Sequence, residues 1–122
     1  MLKRIAIVVA LLIGGGLAAG PHPALAHAVI VAAAPSAGSI VSGPDVVVEL
    51  QFNARLDRQR SRLTLTLPDG SDRPIEVDVA APVQVLTGRA TMLLPGKYVV
   101  KWQVLAVDGH ITRGQIPFIV GE

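Results

Sequence analysis

The chain has 122 residues, no cysteine, and eleven basic against nine acidic side chains. That length allows one small domain, and the missing thiol excludes disulfides, thiolate metal sites and cysteine nucleophiles. Without Lys3 and Arg4 at the extreme N-terminus, nine basic side chains face nine acidic ones, so no net basic field argues for nucleic acid or an anionic membrane.

Those two cations open an export signal. Lys3 and Arg4 form its positive region, Ile5 to Ile13 is an uncharged apolar run, and Ala24-Leu25-Ala26 is the small-x-small pattern a signal peptidase reads. The apolar run is broken by Gly14-Gly15-Gly16 and falls short of the roughly 20 residues of a membrane span. Residues 1–26 are therefore expected to be a signal peptide removed after Ala26, leaving 27–122 as a soluble exported domain that begins with His27.

From there the apolar residues alternate with period two, the pattern of half-buried strands. Val46, Val48, Leu50 and Phe52 share one face, as do Leu63, Leu65 and Leu67, then Ile75, Val77 and Val79, then Tyr98, Val100, Trp102 and Val104. Ile116, Phe118 and Val120 close the series. Turn chemistry separates the runs at Pro35 to Gly38, Ser42 to Asp45, Pro68-Asp69-Gly70 and Pro95-Gly96. Asn53 to Arg62, with four arginines, reads as a solvated connection or helical turn. Short strands at this spacing predict an all-β fold, an Ig-like Greek-key antiparallel β-sandwich with Trp102 as a core plug between its sheets.

Catalytic patterns are missing. No serine lies in a nucleophile elbow, the carboxylate pairs Asp69/Asp72 and Glu76/Asp78 read as solvated surface, and no glycine-rich phosphate loop occurs. Asp108-Gly109-His110 stands apart when it is paired with His27. Side chains two apart can converge on one point, and the intervening glycine admits a close backbone approach. A processed His27 brings both an α-amine and an imidazole. Three nitrogens and one oxygen suit tetragonal Cu(II), with Ni(II) as competitor, better than tetrahedral Zn(II).

The same region resembles the CopC family of periplasmic copper-binding proteins. The resemblance is carried by His27-Ala28, Ala34-Pro35 with Gly38-Ser39, Pro44, and Val48 to Phe52. It continues in Leu94 to Trp102, Val107 to His110, and Gly114 to Val120. It implies a cupredoxin-like sandwich of about seven strands in the periplasm. It also implies one Cu(II) per chain, held by the amine and imidazole of His27 with Asp108 and His110, in copper homeostasis or resistance. By resemblance the chain is a monomeric carrier or buffer rather than an enzyme, and its partner is a separately encoded inner-membrane copper transporter of the CopD type. Two features depart from other members. Phe52-Asn53-Ala54 lacks the glutamate some carry near the copper, and Met92, the only methionine after the signal, reads as core, so no Cu(I) thioether site is expected. Two other readings stay open at this point: a metal-free Ig-like structural or adhesion domain, and a copper redox enzyme built on an N-terminal histidine brace.

Overall fold

The structure, a computed structural model, describes residues 28–122. The expected signal peptide, residues 1–26, and His27 lie outside the described residues. Among the described residues there are eight strands: β1 (Ile30–Ala34), β2 (Ile40–Ser42), β3 (Val46–Phe52), β4 (Arg62–Thr66), β5 (Asp72–Ile75), β6 (Val85–Ala90), β7 (Gly96–Leu105) and β8 (Ile111–Gly121). They form two sheets, ordered β1-β3-β6 and β2-β8-β7-β4-β5. The expected all-β sandwich is the observed architecture.

The alternation read from the sequence decides which side of each strand meets the core. In β3, Val46, Val48, Leu50 and Phe52 are buried while Val47, Glu49 and Gln51 face solvent. Across the sandwich Leu63 and Leu65 of β4, Tyr98, Val100 and Val104 of β7, and Ile116, Phe118 and Val120 of β8 are buried against them. Each large side chain taken from water in this way contributes roughly 1.5–3 kcal/mol, and no disulfide supplements that core. Aromatic contacts bridge and line it. Phe52 of the small sheet meets Trp102 of the large one edge-on at 5.2 Å, and Tyr98 stacks on Phe118 at 5.7 Å.

Trp102 fits between the sheets because of the residue opposite. Gly114 is its partner across β7 and β8, and a Cβ there would overlap the indole at Cζ2. The ring fills the space that any larger residue would occupy. It remains half-buried rather than fully enclosed, a partial form of the core plug expected from its position.

Three features differ from the sequence expectation. Ile75 to Val79 is not a strand. Pairing with β4 ends at Ile75; Val77 stays half-buried against the core, and Val79 turns out to solvent. β2 lies parallel to β8, whereas every other pairing between strands is antiparallel. The chain crosses from the small sheet to the large one after β1 and so enters beside the last strand in the same direction. Met92 is not core. It is 79 % exposed in the β6–β7 connection, with a left-handed φ of 62°.

Candidate metal centre

The β7–β8 hairpin ends in the five residues from Ala106 to His110. Leu105 pairs with Ile111 at the mouth of the turn, and Ala106 N–H donates to His110 O at 2.9 Å. Gly109 N–H donates to Ala106 O at 2.8 Å, closing a reversal in which Gly109 takes a φ of +96°. A side chain at that angle is strained, so glycine between the two polar residues is a backbone requirement.

The reversal brings Asp108 and His110 together. Asp108 Oδ1 accepts the backbone N–H of His110 at 3.1 Å and stands 3.1 Å from His110 Nδ1. These bonds hold the Asp108 carboxyl below its ordinary range, the His110 backbone N–H contributing most and its side chain next. The site therefore carries a carboxylate at neutral pH. Both side chains are about two-fifths exposed, open enough for a solute ion to reach.

Neighbouring backbone fixes the turn from two sides. Val107 N–H donates to Arg55 O at 3.0 Å, Asp57 N–H to Leu105 O at 2.8 Å, and Leu56 bridges Ala106. Arg58–Arg60 forms a single 3-10 turn capped by Asp57, whose Oδ1 accepts Arg60 N–H at 3.2 Å. Ser61, buried at its end, donates through Oγ to Asp57 O and accepts Leu105 N–H at 3.1 Å, clamping β4 to the end of β7. The expectation of a helical turn in Asn53 to Arg62 holds.

The same segment seizes the start of the described chain. Asn53 accepts Val29 N–H on Oδ1 at 2.8 Å and returns its own N–H to Val29 O at 3.0 Å. Ala28 is buried. Asn53 and Arg55 are two apart, so one short stretch holds both Val29 and Val107. Val29 is the second residue after His27, and Val107 directly precedes Asp108. In the sequence Asn53 stands out for the glutamate it lacks and as the first residue of a polar connection. That its amide and backbone fix Val29 was not anticipated, and its place just after β3 beside the turn residues was the available signal.

Among the described residues, Asp108 and His110 are brought together and no group of three or more potential ligands occurs. The pairs Asp69/Asp72 and Glu76/Asp78 are surface features. Asp69 caps its own turn through Ser71, and Asp72 accepts the Thr66 hydroxyl at 2.6 Å and pairs with Lys101 at 3.4 Å. Met92 lies beyond the opposite end of β7, roughly 30 Å of strand from the Asp108 turn.

The model of the CopC domain family matches residues 30–121. Protein YobA of Escherichia coli K12 is 30% identical over 98 residues, which cover 78% of this chain and 79% of that protein. Among solved structures, CopC from Methylosinus trichosporium OB3b superposes with a TM-score of 0.70 at 32% identity, over 78% of this chain and 94% of that one. PcoC, a methionine-rich copper resistance protein from Escherichia coli, shares the fold with a TM-score of 0.62 at 24% identity, over 78% of this chain and 99% of that one.

Proposed function

The chain belongs to the CopC family, and from that premise we propose that it is a periplasmic Cu(II)-binding protein, a carrier or buffer in copper homeostasis or resistance. One Cu(II) is held as cargo by the α-amine and imidazole of His27, exposed when the signal peptide is cut after Ala26, together with Asp108 and His110.

The observation that carries this reading is the Asp108–His110 pair on its Gly109 turn. An imidazole and a carboxylate on one point are nitrogen and oxygen donors of the kind Cu(II) favours. The 3.1 Å contact between Asp108 Oδ1 and His110 Nδ1 puts an oxygen and a nitrogen donor within reach of a single ion, which would replace that contact when it binds both. Sulfur ligation has no support, since cysteine is absent and Met92 lies at the far end of the sandwich. The two-sided grip of Asn53 and Arg55 supports a site completed from the chain's processed end.

The protein is then a carrier rather than an enzyme. A histidine-brace oxygenase that works on polysaccharide needs a flat aromatic face, and Phe52, Tyr98 and Phe118 are buried with Trp102 half-buried. By the same reading the protein is a monomer that exchanges copper with an inner-membrane protein of the CopD type.

Titration of the correctly processed protein with Cu(II), followed by electron paramagnetic resonance of the complex, is the test. The account expects saturation at one equivalent, with a tetragonal nitrogen–oxygen spectrum. Saturation at zero or two equivalents, or a sulfur-type signal, contradicts it.

A further inference from the structure

Zero net charge after the signal hides a strong sorting of charge by the fold. On the outer face of the five-stranded sheet, Arg62 of β4, Gln103 of β7 and Arg113 of β8 lie in one cross-strand rung. Thr64, Lys101 and Gln115 form the next rung on the same face. Adjacent strands stand about 4.8 Å apart and same-face rungs about 7 Å apart, so three cations fall within roughly 10 Å of one another. Together the six residues line a shallow depression of about 490 Å³. Asp72 is the carboxylate that meets this face, through Lys101, whereas on the other side of the sandwich three carboxylates surround the one cation Arg89. Glu49 is on the outer face of β3, and Glu76 and Asp78 border β6.

The cations are presented rather than neutralised. Arg113 is steadied through Nε, which donates to Gln103 Oε1 at 2.8 Å. Lys101 contacts Asp72 at 3.4 Å, but both partners are about half exposed, and such a pair is worth little in water. Arg62 borders a second depression with Arg58, whose Nη1 is shielded from solvent and has no hydrogen-bond partner among the described residues. The segment leading to this face adds Arg55 and Arg60 against Asp57 alone.

We propose that the outer face formed by Arg62, Lys101, Gln103 and Arg113 is a docking surface for a protein partner that presents a cluster of carboxylates. Charge complementarity carries the choice of occupant. The field across the sandwich steers an acidic surface to this face and repels it from the opposite one. Amides and a hydroxyl lie between the cations, which suits a hydrogen-bonding protein surface. The apolar part of the face is small: half-buried Trp102 lines the depression among the cations and Ile111 stands one rung beyond Arg113, while Ile40, Met92 and Leu94 lie elsewhere, less than a bilayer would favour. The face is also close to the candidate metal centre, since Arg113 is three residues past His110 along β8, about 10 Å of strand. That the docked partner exchanges copper rests on the reading above; the contact itself does not.

The test uses the isotope-labelled, processed protein and an octaglutamate peptide as the probe. Amide shifts are expected at 62–64, 101–103 and 113–115, weakening as salt rises from about 50 to about 200 mM. Changing Arg62, Lys101 and Arg113 together to Gln should weaken peptide binding roughly tenfold, while changing Arg73, Arg89 and Lys97 to Gln removes equal charge and should leave it within about twofold. The three single Gln variants should each show part of the loss, should the triple variant fold poorly. Cu(II) affinity should be unchanged in every variant, so a failed copper reading and a failed docking surface are distinguishable. Equal losses from both triple variants, shifts centred elsewhere, or sedimentation with phosphatidylglycerol vesicles without peptide binding would overturn the proposal.

Discussion

A single oxygen of Asp108, Oδ1, lies 3.1 Å from the backbone nitrogen of His110 and 3.1 Å from its Nδ1. One carboxylate thus shapes the turn and orients the ring beside it. Its two functions can be separated by substitution. His110→Ala removes the better copper donor and should weaken Cu(II) binding by more than the ~10–100-fold typical of an outer partner. Asp108→Ala should weaken it less, with a small fall in apo-protein melting temperature from the lost turn bond. Asp108→Asn keeps an acceptor for the His110 N–H, so it should restore the melting temperature without restoring affinity. Isothermal titration and thermal melts check these outcomes, and wild-type affinity in His110→Ala would remove this residue from the site.

Asn53 gives a prediction that touches no ligand. Asn53→Ala loses the acceptor for Val29 N–H while the core and the Asp108 turn are retained, so Cu(II) affinity should fall by about tenfold. Asn53→Asp keeps an oxygen at that point and should bind close to the wild type. If Ala and Asp behave alike, the amide does not position the processed end.

Gly114 and Trp102 make a packing prediction. Gly114→Ala forces the indole out from between the sheets, at a cost of about 1–3 kcal/mol. Tryptophan emission should shift to the red and the melting temperature should fall. An unchanged emission maximum would mean that the ring has other room.

Acid stability depends in part on Asp72. The Thr66 hydroxyl, and after it Lys101, hold this carboxyl below its ordinary range. A depressed carboxyl stabilises the fold above the unfolded value of about 3.9, and that contribution is lost as pH falls through the lower folded value. Asp72→Asn should therefore flatten the acid limb of a stability-versus-pH curve between about pH 5 and pH 3. Curves that stay parallel there would show that Asp72 carries no linkage.

The strongly alternating strands β3, β4, β7 and β8 were legible in the sequence because a period of two is what one buried face demands. Three other strands were not. β1 is largely alanine and carries an irregularity in register after Ile30, β2 has three residues, and β6 buries Val85 and Leu86 in succession. In each case the pairing partner, rather than a local pattern, decides the strand. Met92 was misjudged because hydrophobicity alone does not say which residue of a connection turns outward. Asp108 and His110 were readable as a pair, since a glycine between two polar residues at a hairpin end allows this reversal. The Asn53–Val29 exchange joins residues 24 apart, and the sorting of charge onto opposite faces depends on strand order. Neither leaves a local signature.

The central claim is that the α-amine of a processed His27 joins Asp108 and His110 on Cu(II). One residue left before His27 turns that amine into an amide, a poor donor, and leaves every other group in place. The most direct measurement is the copper-induced shift in thermal stability of the processed protein and of the form extended by one residue, at equal Cu(II). At ~100 times its dissociation constant, Cu(II) should stabilise the processed form by about 2.7 kcal/mol if only the native state binds. The extended form should gain much less at that concentration, with the same melting temperature without copper. Equal copper-induced shifts in the two forms would contradict the claim.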